Sequence, residues 1–163
     1  MPPVHSQSRV AGAFKAFAPV LVLAGGAVLT AACFLPWTSR GLGSTQSLLE
    51  LSDLAGSDLI DDRWISPMLL VPSLAGTITI VLAGMVLASR DLRTDPRRIR
   101  PLAAVLLGLD LITVAVTALI VHRLQDGAMQ APGSGLLIGA AAMIAIGLGA
   151  GALLGRPGTL GPY

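Results

Sequence analysis

A single carboxylate, Asp110, stands at the centre of an otherwise apolar stretch from Leu102 to Val121. In the hydrocarbon of a bilayer an ionised carboxylate costs about 2.5 to 3.5 kcal/mol on insertion scales, so facing lipid is its poorest placement. Three chemistries are open to it. As a protonated acid it makes an interhelical hydrogen bond that fixes packing, worth about 0.6 to 2 kcal/mol. As a charge it anchors a basic residue of another membrane protein. As a titrating group it relays a proton or cation, although the chain holds no second intramembrane carboxylate, His or Lys to continue a relay. Thr113 follows one helical turn on, and Thr117 lies on the same face two turns on. A short connection makes the preceding apolar stretch an antiparallel neighbour, which brings Thr77 and Thr79 to about the depth of Asp110. Asp110, Thr77, Thr79 and Thr113 are therefore the expected intramembrane polar site, with the hydroxyls as partners of a protonated Asp110.

Other reactive groups are few. There is no HExxH, no GxSxG and no glycine-rich phosphate loop, and His5 and His122 lie outside the apolar stretches. Nothing sets a base beside a nucleophile, so neither a catalytic residue nor an enzyme activity is expected. The one cysteine, Cys33, precludes an intrachain disulfide and a cysteine metal cluster. Preceded by Thr30, Ala31 and Ala32, it also sits like the cysteine of a lipoprotein processing site. Thr30 stands where such sites carry a large aliphatic residue, and an ordinary span with Cys33 near the outer interface is the expected reading. Asp58, Asp61 and Asp62 lack a calcium-loop pattern and read as a solvated acidic face. No metal and no cofactor are expected.

The elements that hold these residues follow from composition. Of 163 residues 53% are hydrophobic and 12% charged, against about 25% charged in an ordinary soluble domain, so a soluble globular fold is excluded. No charge occurs between Lys15 and Arg40, from Trp64 to Ser89, or from Gly127 to Gly155. Each gap exceeds the ~20 residues that cross a hydrocarbon core, and the Asp110 stretch has the same length. The fold expected is all-α: an integral membrane four-helix bundle with spans at about 16–35, 68–88, 102–121 and 135–154. An N-terminal tail (1–15) precedes the transmembrane domain (16–155), and a C-terminal tail (156–163) follows it. Eight Lys and Arg residues fall on one side and three on the other, which places both termini in the cytoplasm of a plasma membrane.

Boundary residues carry helix-start chemistry. Pro67 and Pro101 occupy first helical positions, Ser134 caps the fourth span, and Pro72 bends the outer end of the second. In the long first outer loop, Ser47-Leu48-Leu49-Glu50 matches a capping box, and Leu48, Leu51 and Leu54 recur at helical spacing until Gly56. A short amphipathic helix is expected there, on the membrane surface or on the helix ends, with Trp37 and Trp64 forming an outer aromatic belt.

Two patterns concern partners. Gly135, Gly139, Gly147, Gly151 and Gly155 recur every four residues, with Met143 filling the one gap, and mark a helix-packing interface. Because residues four apart turn through about 400°, the stripe drifts and its two halves meet different helices. Gly84 with Ala88, Ala104 with Gly108, and Gly26 with Thr30 repeat the motif more weakly. Arg90, Arg93, Arg97, Arg98 and Arg100 crowd one short connection, where they determine topology and could contact anionic lipid at about 1 kcal/mol each. No aromatic residue interleaves them, so no nucleic-acid partner is expected.

Leu35-Pro36-Trp37, followed by a Gly- and Ser-containing loop with a Leu-rich short helix, resembles the small four-span membrane proteins of high-GC actinobacteria. The Arg-over-Lys bias and the Ala and Gly content fit that resemblance, which covers the whole span pattern and implies no particular activity. A Trp opening a large first outer loop is also similar to claudin-like tetraspans, but their paired loop cysteines are missing. The expected function is a non-catalytic accessory or assembly subunit, with the bilayer and another integral membrane protein or a second copy as partners. The alternative is a small transporter or channel component with Asp110 on the path.

Overall fold

The computed structural model describes residues 5–40, 44–56, 65–125 and 131–155. Its elements run α1 (His5–Ala32), β1 (Pro36–Arg40), β2 (Ser44–Ser47), α2 (Leu48–Gly56), α3 (Ile65–Leu69), α4 (Val71–Ala88), α5 (Arg90–Thr94), α6 (Pro96–Gln125), β3 (Ala131–Pro132) and α7 (Ser134–Leu154). The chain is mostly helical. Three stretches are long and apolar enough to cross a membrane: Pro67–Ala88, Arg97–His122 and Ser134–Leu154. A shorter apolar helical stretch, Ala16–Ala32, belongs to α1.

The four long helices pack side by side. α1 lies against α4 and α7, and α6 lies against α7 and α4. Ala18 and Val22 meet Gly149, Gly25 meets Ala142 and Ile146, and Ala32 meets Gly135, so α1 and α7 are antiparallel. Each helix buries a stripe at alternating spacings of four and three, as in Ile99, Ala103, Leu106, Asp110, Thr113, Thr117 and Ile120 of α6. On α7 the same rhythm gives Gly135, Gly139, Ala142, Ile146, Gly149 and Leu153. A seven-residue repeat keeps its seam facing neighbours inclined at about 20°, the geometry of left-handed bundles.

Outward faces are apolar. Phe17, Leu74, Val81, Val105, Leu111, Ile112, Leu137, Ile144 and Leu148 are each more than half exposed, while Thr79, Asp110, Thr113 and Thr117 are buried. Water would penalise that arrangement, because each such side chain gains about 1.5 to 3 kcal/mol on leaving it. Hydrocarbon would not.

Several boundaries differ from the expected ones. α1 begins at His5, inside the stretch expected as a tail. Ahead of α6, Asp95 Oδ1 accepts a hydrogen bond from the Arg97 amide at 2.9 Å, and Pro96 takes the first helical position, leaving Pro101 inside the helix. A side-chain cap thus starts the helix before the proline that the apolar pattern singled out. α4 is separated from α3 by a turn at Leu70, with Pro72 in its first turn. Proline supplies no N–H for the preceding turn there, so only the end of the span is interrupted. α7 has Gly133, not Ser134, at its cap. There the Gly133 amide donates to Trp37 O at 3.0 Å, and a Cβ would run into Pro36 O, so contact with a strand excludes a capping side chain.

A three-stranded sheet in the order β2-β1-β3 adds to the helices a feature that the all-α expectation lacked. It ties the first loop to the last, pairing Thr38 with Gln46 on one side and with Pro132 on the other. The register breaks between Pro36 and Thr38, a bulge-like irregularity of the kind that re-aims a side chain. α2 follows directly: the Ser47 amide donates to Glu50 Oε2 at 2.8 Å and the Glu50 amide to Ser47 Oγ at 3.3 Å. That reciprocal pair is the capping box read in the sequence, and Leu48 and Leu51 are buried on the bundle end.

Candidate functional site

The α6 stripe changes character along its length. Ile99, Ala103 and Leu106 join Ala18, Val22, Ala83, Val86, Ala150 and Leu153 in one apolar cluster. Ile120, at the other end, joins Cys33, Trp37, Leu48, Leu51 and Leu69 in another. Between them the seam is polar: Asp110 is 8% exposed, Thr113 0% and Thr117 5%.

Asp110 reaches toward α7. A Cβ on Gly147 would lie 2.9 Å from Asp110 Oδ2, so the missing side chain makes room for the carboxyl group. Asp110 Oδ1 and Thr117 Oγ1 are buried with no hydrogen-bond partner among the described residues. The Thr113 hydroxyl donates to Leu109 O at 2.8 Å, which leaves its oxygen able to accept.

The two α4 threonines part company. Thr79 is 2% exposed and sets its methyl 3.1 Å from a Cβ on Gly26. Thr77 is exposed, and its hydroxyl donates to Ser73 O of its own helix at 3.0 Å. Residues two apart lie about 200° apart on a helix, so the expectation that Thr77 and Thr79 both face Asp110 is corrected: Thr77 points away.

The α7 glycines sort by surroundings. Gly135 and Gly139 seat the indole of Trp37, whose Cδ1 lies 2.6 Å from a Cβ on Gly135 and whose Cζ2 lies 3.5 Å from one on Gly139. Gly147 faces Asp110, Gly151 is exposed with nothing among the described residues within 4 Å of its Cβ position, and a Cβ on Gly155 would lie 3.6 Å from Gly151 O. Trp37 is 2% exposed and its Nε1 donates to Ala32 O at 2.7 Å. It therefore plugs the bundle end instead of forming a surface belt; Trp64 and the loop acids Asp58, Asp61 and Asp62 lie outside the described residues. Cys33 is fully buried in the same plug, its thiol donating to Leu29 O at 3.3 Å.

The tightest helix contacts involve glycines that the sequence pattern marks only in part. Gly26 and Gly76 face each other: a Cβ on either would come within 3.0 to 3.1 Å of the other's carbonyl oxygen, and one on Gly76 would also meet Thr30 Oγ1. Gly25 and Gly149 do the same work between α1 and α7. Gly26 with Thr30 carries a four-residue signal, as does Gly149 with Ala145, whereas Gly25 and Gly76 stand in no such pair.

At the opposite end, Arg90, Arg97, Arg98 and Arg100 are exposed around α5 and the start of α6, with the side chain of Arg93 outside the described set. Arg98 Nε lies 3.4 Å from Asp95 Oδ2. Comparison of the chain with known protein families, with curated proteins and with solved structures finds no match.

Proposed function

We propose that the chain is a non-catalytic, multi-pass protein of the plasma membrane, crossing it four times with both termini in the cytoplasm. In this reading it serves as an accessory or assembly subunit docked on a larger membrane complex. Support for the fourth span comes from α1, which packs against two of the long apolar helices and carries lipid-like side chains such as Phe17 on its outer face. The arginines of α5 and α6 lie at the cytoplasmic surface, where positive charge is retained and anionic lipid is met.

One observation carries the docking role: the glycines fall into two groups. Those facing inward are filled by neighbours, whereas Gly84 and Gly108, half-buried, and Gly151, exposed, have nothing among the described residues within 4 Å of a Cβ position. Small residues on a lipid-side face let another helix approach closely, and the occupant is an integral membrane protein or a second copy of this chain. Native complexes purified in mild detergent test this. Gly151→Leu has room within the protomer, so it is expected to fold normally and to lose a large complex that the wild type retains. A wild type that runs alone as a small monomer overturns the reading.

A second reading, a small transporter or channel component, is favoured by the unpartnered Asp110 Oδ1. Asp110-dependent ion flux in liposomes containing only this protein would reverse the order of the two.

A further inference from the structure

The two oxygens of Asp110 differ. Only Oδ1 is sealed from the surface, and it has no hydrogen-bond partner among the described residues. Oδ2 is turned to α7, where it lies 2.9 Å from the position of a Cβ on Gly147. Gly147 is half-buried and Gly151, one turn on, is exposed. Oδ2 therefore stands at the outer edge of the seam between α6 and α7, where no α7 side chain at position 147 covers it.

A carboxylate in hydrocarbon needs a donor or a cation, and ionisable groups inside membranes pair with one another. The protomer supplies none. Thr77 points away from Asp110, and the Thr113 hydroxyl already donates to Leu109 O. No Lys, Arg or His occurs in any of the four apolar stretches, so a second copy of the chain brings no cation to this depth either. Lipid headgroups do not reach it: Asp110 lies midway along the candidate span Arg97–His122, about 15 Å from either surface of the hydrocarbon. A basic side chain on another protein's transmembrane helix does, because its apolar stem carries the charged head away from its own backbone. Gly151 lets such a helix come close, with nothing among the described residues within 4 Å of its Cβ position.

We propose that the docked partner is a different protein whose transmembrane helix lies on the seam between α6 and α7 and presents a Lys or Arg side chain to Asp110 Oδ2 beside Gly147. This rests on the docking reading and gives the partner a chemical signature, one basic residue near the middle of a membrane span.

Resonance energy transfer in lipid vesicles, between the labelled full chain and synthetic Leu/Ala helices carrying Lys, Gln or Leu at the midpoint, tests the pairing. The Lys helix is expected to associate about ten-fold more tightly than the Leu or Gln helix. Asp110→Asn keeps the volume but not the charge and is expected to abolish that preference, whereas Asp110→Glu is expected to retain it. Gly151→Leu is expected to weaken binding of the Lys helix by blocking its approach. Equal binding of the Lys and Gln helices to the wild type overturns the proposal, as does a preference for Lys that survives Asp110→Asn. The synthetic helices need no native partner, so failure here is distinct from failure of the docking role. A native complex that is lost on Gly151→Leu but kept on Asp110→Asn supports docking and overturns the basic anchor.

Discussion

Asp110 and Gly147 form a close polar-to-backbone contact in the bundle, and substitution there has a defined sign. Gly147→Ala puts a methyl 2.9 Å from Asp110 Oδ2, which forces the carboxyl group to move. Because the clashing atom is the free end of a side chain, the cost is expected at the low end of overpacking, about 1 kcal/mol. Unfolding in detergent or lipid is expected to show that loss, and Asp110→Ala in the same chain is expected to reduce it, giving a favourable coupling in a double-mutant cycle. Independent, additive effects would mean that the two residues do not touch. Trp37→Phe keeps most of the ring but leaves Ala32 O without its indole donor. Ala32 O still accepts from the Leu35 amide at 3.1 Å, so the loss expected in the same unfolding assay is that of one hydrogen bond, about 0.5 to 1.5 kcal/mol.

At the scale of elements, α2 depends on its cap. Ser47→Ala removes the hydroxyl that accepts from Glu50, and is expected to cost about 0.5 to 2 kcal/mol and to speed amide exchange at Leu49 and Glu50. This capping box was legible in four residues because its chemistry is local. Two of the three candidate spans were legible for a related reason, since an uncharged apolar run of about 20 residues is too long for most buried helices of a soluble core, and the third has that length with Asp110 at its centre. What escaped depends on contacts between distant segments. Neither β1 nor β3 alternates strongly, and the two pair only because the bundle brings the first and last loops together. Trp37 resembled an interfacial anchor until Gly135 and Gly139 provided a seat for its ring. The inward position of Asp110 followed from desolvation cost, but Thr77 and Thr79 could not be separated without the rotation of α4 about its axis. Pro101 misled because the apolar pattern locates the hydrocarbon boundary, whereas Asp95 and Pro96 locate the helix start.

The bundle buries apolar clusters on either side of a polar seam and carries large apolar side chains on its outer faces as well. α1 is central to it, held to α4 by Gly26 and Gly76 and to α7 by Gly25 and Gly149. Gly76→Leu is expected to part α1 from α4, detected as faster proteolysis of the connecting loop. Unchanged protection would contradict that contact. The proposed crossing of the bilayer by all of α1, α4, α6 and α7 is tested most directly by labelling single cysteines with a membrane-impermeant maleimide. Sealed vesicles of known orientation and a Cys33→Ala background are used. Cysteines at Ser8 and Asp91 are expected to react only from the cytoplasmic face, and cysteines at Asp53 and Ser134 only from the opposite face. If positions 8 and 53 react from the same side, α1 does not span and the chain does not cross four times.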